Sequence, residues 1–303
     1  MPSSEAEAGS KAKRLLRERS KKIVSPISAT PLDSSDVDAW RGVPYDDSRN
    51  FYPMPKPTLE FIAEMVSDFS RLLLRSVDGV TYKTEGQGSY KLALLYFLLR
   101  AKQNLDAVIA LCRAGFTVQA MMVARSTFEM CITIEYISKE IEKRAKLYAD
   151  YDAVERHSWL KKAEKFRTQA PELLAGASPK TQERIRRNYS KVKHQFPEPY
   201  RWAGKGMTLA EMCRKLKADQ SYEIQYGFLC QFTHNSVVCS NDHFEEGKNG
   251  ALTLKDGPNS KYRVPALATA AINTLHIASY FNDGFELKRD KEHDALLELF
   301  KGA

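Results

Sequence analysis

The chain has 303 residues, of which 43% are hydrophobic and 10% aromatic. This composition allows a large buried core and excludes a chain that is disordered throughout. The formal charge of +8 favours a polyanionic partner such as nucleic acid or a nucleotide, although many basic proteins carry such a charge for solubility alone. The apolar runs are shorter than the roughly twenty residues that cross a membrane, and the first residues lack the hydrophobic core of a secretory signal. We therefore expect a cytoplasmic protein without membrane insertion.

The cysteines follow no spacing typical of a metal site or a disulfide framework. Their number is odd, and most have apolar neighbours, which predicts reduced and buried thiols in a reducing compartment. The five positions are Cys112, Cys131, Cys213, Cys230 and Cys239.

Two segments precede the helical part of the chain. Residues 1–24 hold seven lysines and arginines against three glutamates, which predicts a flexible, solvated basic arm. Loose contact of this arm with nucleic acid or anionic lipid is the alternative. Residues 25–57 contain six prolines, which exclude a long helix and favour an extended wrap or linker.

Hydrophobic residues recur at three- and four-residue spacing from Thr58 onward, which predicts an all-α domain over residues 58–303. We expect an antiparallel helical bundle. Whether the bundle is a monomer or forms a homo-oligomer stays open. Gly115 should end the second helix in a left-handed conformation, and Thr117 should cap the third. Leu252–Leu254 is the only strand-like run and predicts at most one small β-hairpin, turning at Asp256 and Gly257. The main predicted helices span residues 58–77, 89–113, 116–138, 140–168 and 219–240, and a last core helix follows Pro265.

The faces of three segments carry further expectations. The second helix should turn Leu92, Leu95, Leu99, Leu105, Ile109 and Cys112 toward the core. In the fourth helix, Asp152 shares a stripe with Tyr148, Trp159 and Phe166, so it either joins the polar cluster described next or lines a pocket at the rim. Trp202, in an aromatic loop, should cover a groove. A short helix from Pro179 spreads its cations around its circumference, as solvated helices do, with phosphate contact as the alternative: Arg184, Arg186, Arg187, Lys191 and Lys193.

The third helix is apolar almost all the way round, yet it carries Arg125, Ser126 and Glu129. An unpaired charge is costly to bury, so the guanidinium and the carboxylate, one turn apart, must pair with each other or with a bound group. In the structural interpretation the pair fixes how the helices dock, and Ser126 bonds a neighbouring carbonyl. In the functional one, Arg125 presents its planar fork to a phosphate or carboxylate while Glu129 orients it or acts as a base.

A second polar series, Tyr226, Cys230 and His234 at steps of four, lies in the apolar run QYGFLCQFTHNSVV. The histidine is either a satisfied core residue or a proton carrier that works with Tyr226. Apolar neighbours favour Cys230 as a packing thiol over a nucleophile. Together with Asp242, His243 and Glu245, His234 matches no established ligand spacing, so we expect no metal.

Familiar catalytic motifs are missing from the chain. It has no glycine-rich phosphate loop, no HExxH, no GxSxG and no alternation of strands with helices. P-loop hydrolases, zincins, α/β-hydrolases and Rossmann enzymes therefore lose their main support, and we expect no cofactor.

Four segments carry a resemblance to a known family: RSTFE at 125–129, EYISKE at 135–140, YRWAGKGMTLAEM at 200–212 and YGFLCQFTHNSV at 226–237. Together they resemble a bacterial family of uncharacterised helical proteins, over residues 90 to 240. The resemblance implies a signature of Arg125, Glu129, Trp202 and His234. The family commonly has serine four residues before the histidine, where this chain has Cys230.

A looser likeness is to HEPN-type helical ribonucleases, which use an arginine and a histidine on one helix as RxxxxH. Here the two residues lie on separate predicted helices, and no RxxxxH stands at the site.

These observations lead to two hypotheses. In the first, a phosphate-bearing ligand, RNA or a nucleotide, binds in a cleft between the helices of Arg125 and His234, and hydrolysis of this ligand, as by a nuclease, is left open. The ligand-binding residues are then Arg125, Ser126, Asp152 and Trp202, and the catalytic ones His234, Glu129 and Tyr226. In the second, the protein is a non-catalytic helical interaction module whose Arg/Glu/His cluster is structural.

Overall fold

The computed structural model describes residues 57–81, 87–175, 177–198, 201–234, 236, 243–246, 251–254 and 257–302. The predicted basic arm and all of the proline-rich segment except Pro57 lie outside these ranges. Among these residues, Pro57–Leu297 forms one compact unit.

The structure is all-α, as the periodicity predicts, with one small antiparallel strand pair. A 3₁₀ turn (Lys193–Gln195) follows the sixth helix, and a π-helical segment (Ser221–Tyr226) runs directly into the eighth. The elements are α1 (Leu59–Arg75), α2 (Gly88–Arg113), α3 (Thr117–Ser138), α4 (Ile141–Lys165), α5 (Glu172–Ala175), α6 (Pro179–Val192), α7 (Leu209–Leu216), α8 (Gly227–Thr233), β1 (Phe244–Glu246), β2 (Leu252–Leu254), α9 (Arg263–Gly284) and α10 (Asp290–Gly302).

The core lies between four long helices. Helix α9 packs on α1, α2 and α3, and α2 also packs on α1 and α3. Four phenylalanines, one from each helix, are almost completely buried there: Phe69, Phe97, Phe128 and Phe281. Helix α4 packs on α2 and α3 from outside this group, α6 packs on α4, and α8 packs on α3. The contact between α3 and α8 is the one that positions the candidate site.

The turn between α2 and α3 uses Gly115 at a positive φ of 79°, as expected for a helix end. A β-carbon there would lie 2.3 Å from the Pro258 side chain. The predicted cap is wrong, however, because Phe116 occupies the capping position. Thr117 is buried instead, and its hydroxyl contacts Asn259 Oδ1 at 2.7 Å and accepts a bond from the backbone N–H of Tyr262.

Two predicted helix faces are wrong in part. On α2, Leu92 and Leu99 are exposed, while the neighbouring Leu94 and Leu98 are fully buried. The spacing of apolar residues does not identify the buried side of α2, because this helix is apolar on several sides and packs on several helices. On α4 the predicted core residues Trp159 and Phe166 are exposed, and the buried ones are Ala145, Tyr151, Leu160 and Ala163.

The small hairpin is present, but its turn is not the predicted one. Strand β2 pairs antiparallel with β1, so that Phe244 lies opposite Leu254. The partner strand thus precedes β2, and Asp256-Gly257 follows the hairpin rather than forming its turn. Within the described ranges, every helix is too short or too polar to span a lipid bilayer.

Candidate functional site

Helix α3 presents an arginine and a glutamate one turn apart toward α8. The Arg125 Nε donates to Glu129 Oε1 over 2.8 Å. The spacing of four residues brings the two side chains to one side of the helix, as the sequence indicates. The Arg125 side chain keeps 17% of its surface exposed and that of Glu129 40%, so this ion pair stands at the rim of the bundle.

Tyr226 closes the pair into a triangle. Its hydroxyl accepts from Arg125 Nη2 over 2.7 Å and donates to Glu129 Oε1 over 3.0 Å. The guanidinium carbon also lies 4.9 Å from the centre of the Tyr226 ring. Because the phenol accepts from the cation and donates to the anion, both its lone pair and its proton are used, and the guanidinium plane is fixed.

His234 completes the cluster from the end of α8. The helix ends at Thr233, and His234 caps it with its backbone N–H bonded to Cys230 O. The sequence predicts that this helix continues without a break to residue 240. This prediction is wrong, because the helix ends before His234. Its Nε2 lies 3.3 Å from Arg125 Nη1. Since arginine can only donate, this contact requires a neutral imidazole with its proton on Nδ1.

Two aromatic rings stack on the ring of Tyr226. The Phe128 ring lies 5.6 Å from that of Tyr226, and the Tyr222 ring lies 5.1 Å from it on the π-helical segment. Neither Phe128 nor Tyr222 is indicated by the polar pattern of the sequence. The one signal for Tyr222 is its four-residue spacing from Tyr226. Single-turn π segments within helices often accompany functional sites.

The surroundings of Arg125 and Tyr226 favour a charged guanidinium and a neutral phenol. Burial works against the Arg125 cation, but the charge of Glu129 and the Tyr226 hydroxyl raise the pKa of the guanidinium. Burial, followed by the Glu129 carboxylate, raises the pKa of Tyr226 well above its usual value. Tyr226 therefore remains a neutral phenol and serves as a donor rather than as a base. His234 is exposed, so water reaches the cluster from its side.

The other predicted site residues lie elsewhere. Ser126 faces α2, where its hydroxyl oxygen accepts from Asn104 Nδ2 over 2.6 Å. Of the two alternatives for Asp152, the structure excludes the one in the polar cluster: its side chain is 60% exposed, pairs with Arg156 and lines a cavity at the rim between α4 and α6. Trp202 packs edge-on against Tyr136 and Tyr148. The fold thus brings Arg125, Glu129, Tyr226 and His234 together. The contacts of Ser126, Asp152 and Trp202 lie elsewhere in the protein.

The predicted burial of the thiols is confirmed for Cys112, Cys131 and Cys213, whereas Cys230 is half-buried. Burial raises the pKa of Cys112 to about 11 and that of Cys213 to about 12. Both remain protonated thiols. Cys239 lies outside the described residues.

Comparison with known proteins gives one match. The model of a family of unknown function, DUF5677, matches residues 91–251, which is more than half of the chain and includes Arg125, Glu129, Tyr226 and His234. The comparisons with curated proteins and with solved structures found no match. The predicted membership of an uncharacterised family is confirmed, and the chain belongs to the family of unknown function DUF5677.

Proposed function

We propose that the rim of the α3–α8 contact binds a phosphate-bearing ligand, RNA or a nucleotide. The observation that carries the proposal is the Arg125 guanidinium, which is held by three partners and yet is reachable from the side of His234. Arginine has five N–H donors, and its contacts in the described part of the chain use three of them. One hydrogen each on Nη1 and Nη2 remains, which is the fork that bidentate phosphate recognition uses.

The neighbours of Arg125 prepare it for this task. Glu129 and Tyr226 hold the guanidinium plane before the ligand arrives, which lowers the entropy lost on binding. Phosphate oxygens then bind the free hydrogens of Nη1 and Nη2, next to the His234 imidazole. This imidazole is exposed and is positioned to exchange a proton with the ligand. Hydrolysis of a phosphodiester is the reaction that this arrangement suits, with His234 as the proton carrier.

The combination of one arginine and one histidine is similar to that of HEPN-type ribonucleases, although here the two residues come from α3 and from the end of α8. The proposal includes a cytoplasmic location in a bacterium. Ser126, Asp152 and Trp202 have no part in it, because their contacts lie at other helices.

Isothermal titration with inorganic phosphate and with AMP tests the proposal on the wild type and on Arg125→Gln. We expect Arg125→Gln to weaken binding at least about tenfold, since a hydrogen bond to a charged group contributes about 1.5–3 kcal/mol. Its melting temperature should fall by only a few degrees. Binding that is unchanged in Arg125→Gln contradicts the proposal, as does a wild type that binds neither probe.

Arg144→Gln is the matched control. Arg144 also stacks on a tyrosine, with its guanidinium carbon 3.8 Å from the Tyr136 ring centre, and also pairs with a glutamate, Glu140. Its Nη1 donates to a backbone carbonyl rather than lying beside an exposed histidine. The control should therefore lose stability and keep the affinity for phosphate.

One observation favours the second candidate function, a non-catalytic interaction module. The Arg125–Glu129–Tyr226 triangle satisfies its members with one another, as a purely structural ion pair does. This function predicts that Arg125→Gln lowers the melting temperature as strongly as Arg144→Gln does, with no phosphate binding by the wild type.

A further inference from the structure

A straight row of cations runs along the outer side of α6. Lys180, Arg184, Arg187 and Lys191 are separated by four, three and four residues, and all four are exposed. At 100° per residue they fall within roughly 60° of arc. The sequence-based interpretation of cations spread evenly around this helix therefore overlooks the row. From Pro179 to Gln195 the chain holds six lysines and arginines against Glu183 alone.

The described part of the chain does not neutralise the cations of the row. In the described ranges, the ion pairs of α6 involve Arg186, which pairs with Glu164 and Glu183. Lys180, Arg184, Arg187 and Lys191 form no ion pair with any described residue. Inside the α4–α6 contact, burial and then the charge of Lys161 lower the pKa of His157, whose ring stacks on Tyr189 at 3.8 Å.

A cavity of about 300 Å³ lies beside the row, between α6 and α4. Arg184 lines it from α6, and Arg156 and Asp152 line it from α4. Three residues beyond Arg156, on the adjoining surface of α4, stands Trp159. Its side chain is 69% exposed, and the Lys162 ammonium lies 4.9 Å from its ring centre.

Trp159 thus adds an exposed aromatic ring to cations that have no ion pair among the described residues. This combination suits single strands, because phosphates contact the cations and an unstacked base covers the aromatic ring. A duplex offers no free base face, which disfavours double-stranded nucleic acid. We propose that the α4–α6 face, meaning Lys180, Arg184, Arg187 and Lys191 with Trp159, binds single-stranded nucleic acid. This inference goes beyond the proposed function, because it concerns the α4–α6 face and not the rim of the α3–α8 contact.

Fluorescence anisotropy with a labelled twelve-nucleotide single-stranded RNA tests the face in the full chain. Four phosphate contacts contribute about −3 to the slope of log K against log salt concentration, at about −0.7 per contact. The variant Lys180→Gln, Arg184→Gln, Arg187→Gln, Lys191→Gln should lose this contribution and bind at least about a hundredfold more weakly at low salt. Trp159→Leu should weaken binding about tenfold, whereas Trp159→Phe, which keeps a ring, should not.

The matched control removes the same charge elsewhere. Arg71, Arg75, Lys215 and Lys291 are exposed on other helices, and their joint replacement by glutamine should leave the affinity within about threefold. Equal losses in the two quadruple variants overturn the inference, since they show a non-specific effect of net charge. Tighter binding to a duplex of the same sequence, or binding to anionic phosphatidylserine vesicles but not to the RNA, overturns it as well.

Arg125→Gln separates this inference from the proposed function. If Arg125→Gln keeps its affinity for RNA while the quadruple variant of α6 loses it, the α4–α6 face is supported. This holds even if phosphate and AMP do not bind at Arg125. If Arg125→Gln loses its affinity for RNA while the quadruple variant of α6 keeps it, the proposed function is supported and the α4–α6 face is overturned.

Discussion

The Nη1 atom of Arg125 lies 3.3 Å from Nε2 of His234, across 109 residues of chain. The contact ties the protonation state of the histidine to the position of the arginine, because a guanidinium offers only donors. A protonated imidazole would bring a second cation to the same place. The cluster is therefore organised around a neutral His234.

We predict that His234 carries its proton on Nδ1 at pH 8. Nitrogen-15 NMR of histidine-labelled protein distinguishes the two tautomers through the coupling of each ring nitrogen to its carbon-bound protons. The preference should disappear in Arg125→Gln, which removes the Nη1 donor. A dominant Nε2–H form in the wild type would contradict the described geometry.

Tyr226→Phe should destabilise the fold by about 1–3 kcal/mol. It removes a hydroxyl that bonds both Arg125 and Glu129 while keeping the ring that stacks on Phe128 and Tyr222. Hydrogen bonds to charged groups contribute about 1.5–3 kcal/mol each. Urea denaturation measures the change in the free energy of unfolding. Tyr222→Phe is the control, because the ring contact is the described interaction of Tyr222, and it should cost less than about 0.5 kcal/mol. Equal losses in the two variants would mean that the hydroxyl triangle contributes nothing.

Stability should fall on acidification because of His276. Burial, and after it the neighbouring His293, lower the pKa of His276 to about 4, whereas a histidine in the unfolded chain titrates near 6.5. Between these values the unfolded state binds a proton that the folded state does not. The contribution of His276 is thus complete above about pH 7 and is lost by at most about 1.4 kcal/mol per pH unit down to about pH 4.

Urea denaturation of the wild type and of His276→Gln, at pH 7.5, 6 and 5, measures this contribution as a difference. The variant should show the smaller loss of stability between pH 7.5 and 5. Parallel pH dependences in the two proteins would show that His276 does not titrate abnormally.

Gly115→Ala should cost more than Gly79→Ala, although both glycines have nearly the same φ, 79° and 75°. The left-handed conformation costs a non-glycine residue about 1 kcal/mol at either place. At Gly115 the new carbon would also meet the Pro258 side chain at 2.3 Å, whereas Gly79 has open space around it. Overpacking adds about 1–3 kcal/mol. Thermal denaturation of the two variants measures the difference, and equal melting temperatures would contradict the close approach of the two loops.

Much of the fold follows from local patterns of the sequence. The spacing of apolar residues locates the long helices, and Gly115 marks the turn between two of them. The same spacing does not identify the buried side of α2, where Leu94 and Leu98 are buried and Leu92 and Leu99 are exposed, because this helix is apolar on several sides. Which side is buried depends on α1, α3, α4 and α9 together.

The residues of the candidate cluster could be predicted because each is a polar residue within an apolar segment of the sequence. Arg125, Glu129, Tyr226 and His234 stand out in apolar segments, and a buried polar group needs a partner. Asp152 and Trp202 lie in segments that mix polar and apolar residues, so neither polarity nor aromaticity shows what they contact. The row on α6 was hidden because Arg186 and Lys193 lie on another side of the helix and obscure its regular spacing.

The π-helical segment from Ser221 to Tyr226 has a consequence for the geometry of α8. A turn that closes over five residues instead of four rotates everything after it, relative to an ordinary helix, by about the angle of one residue. The orientation of Cys230 and His234 toward α3 therefore depends on this single wide turn. Shortening it by one residue would preserve the helix and its composition, yet it would swing the imidazole about a quarter of a revolution out of reach of the guanidinium.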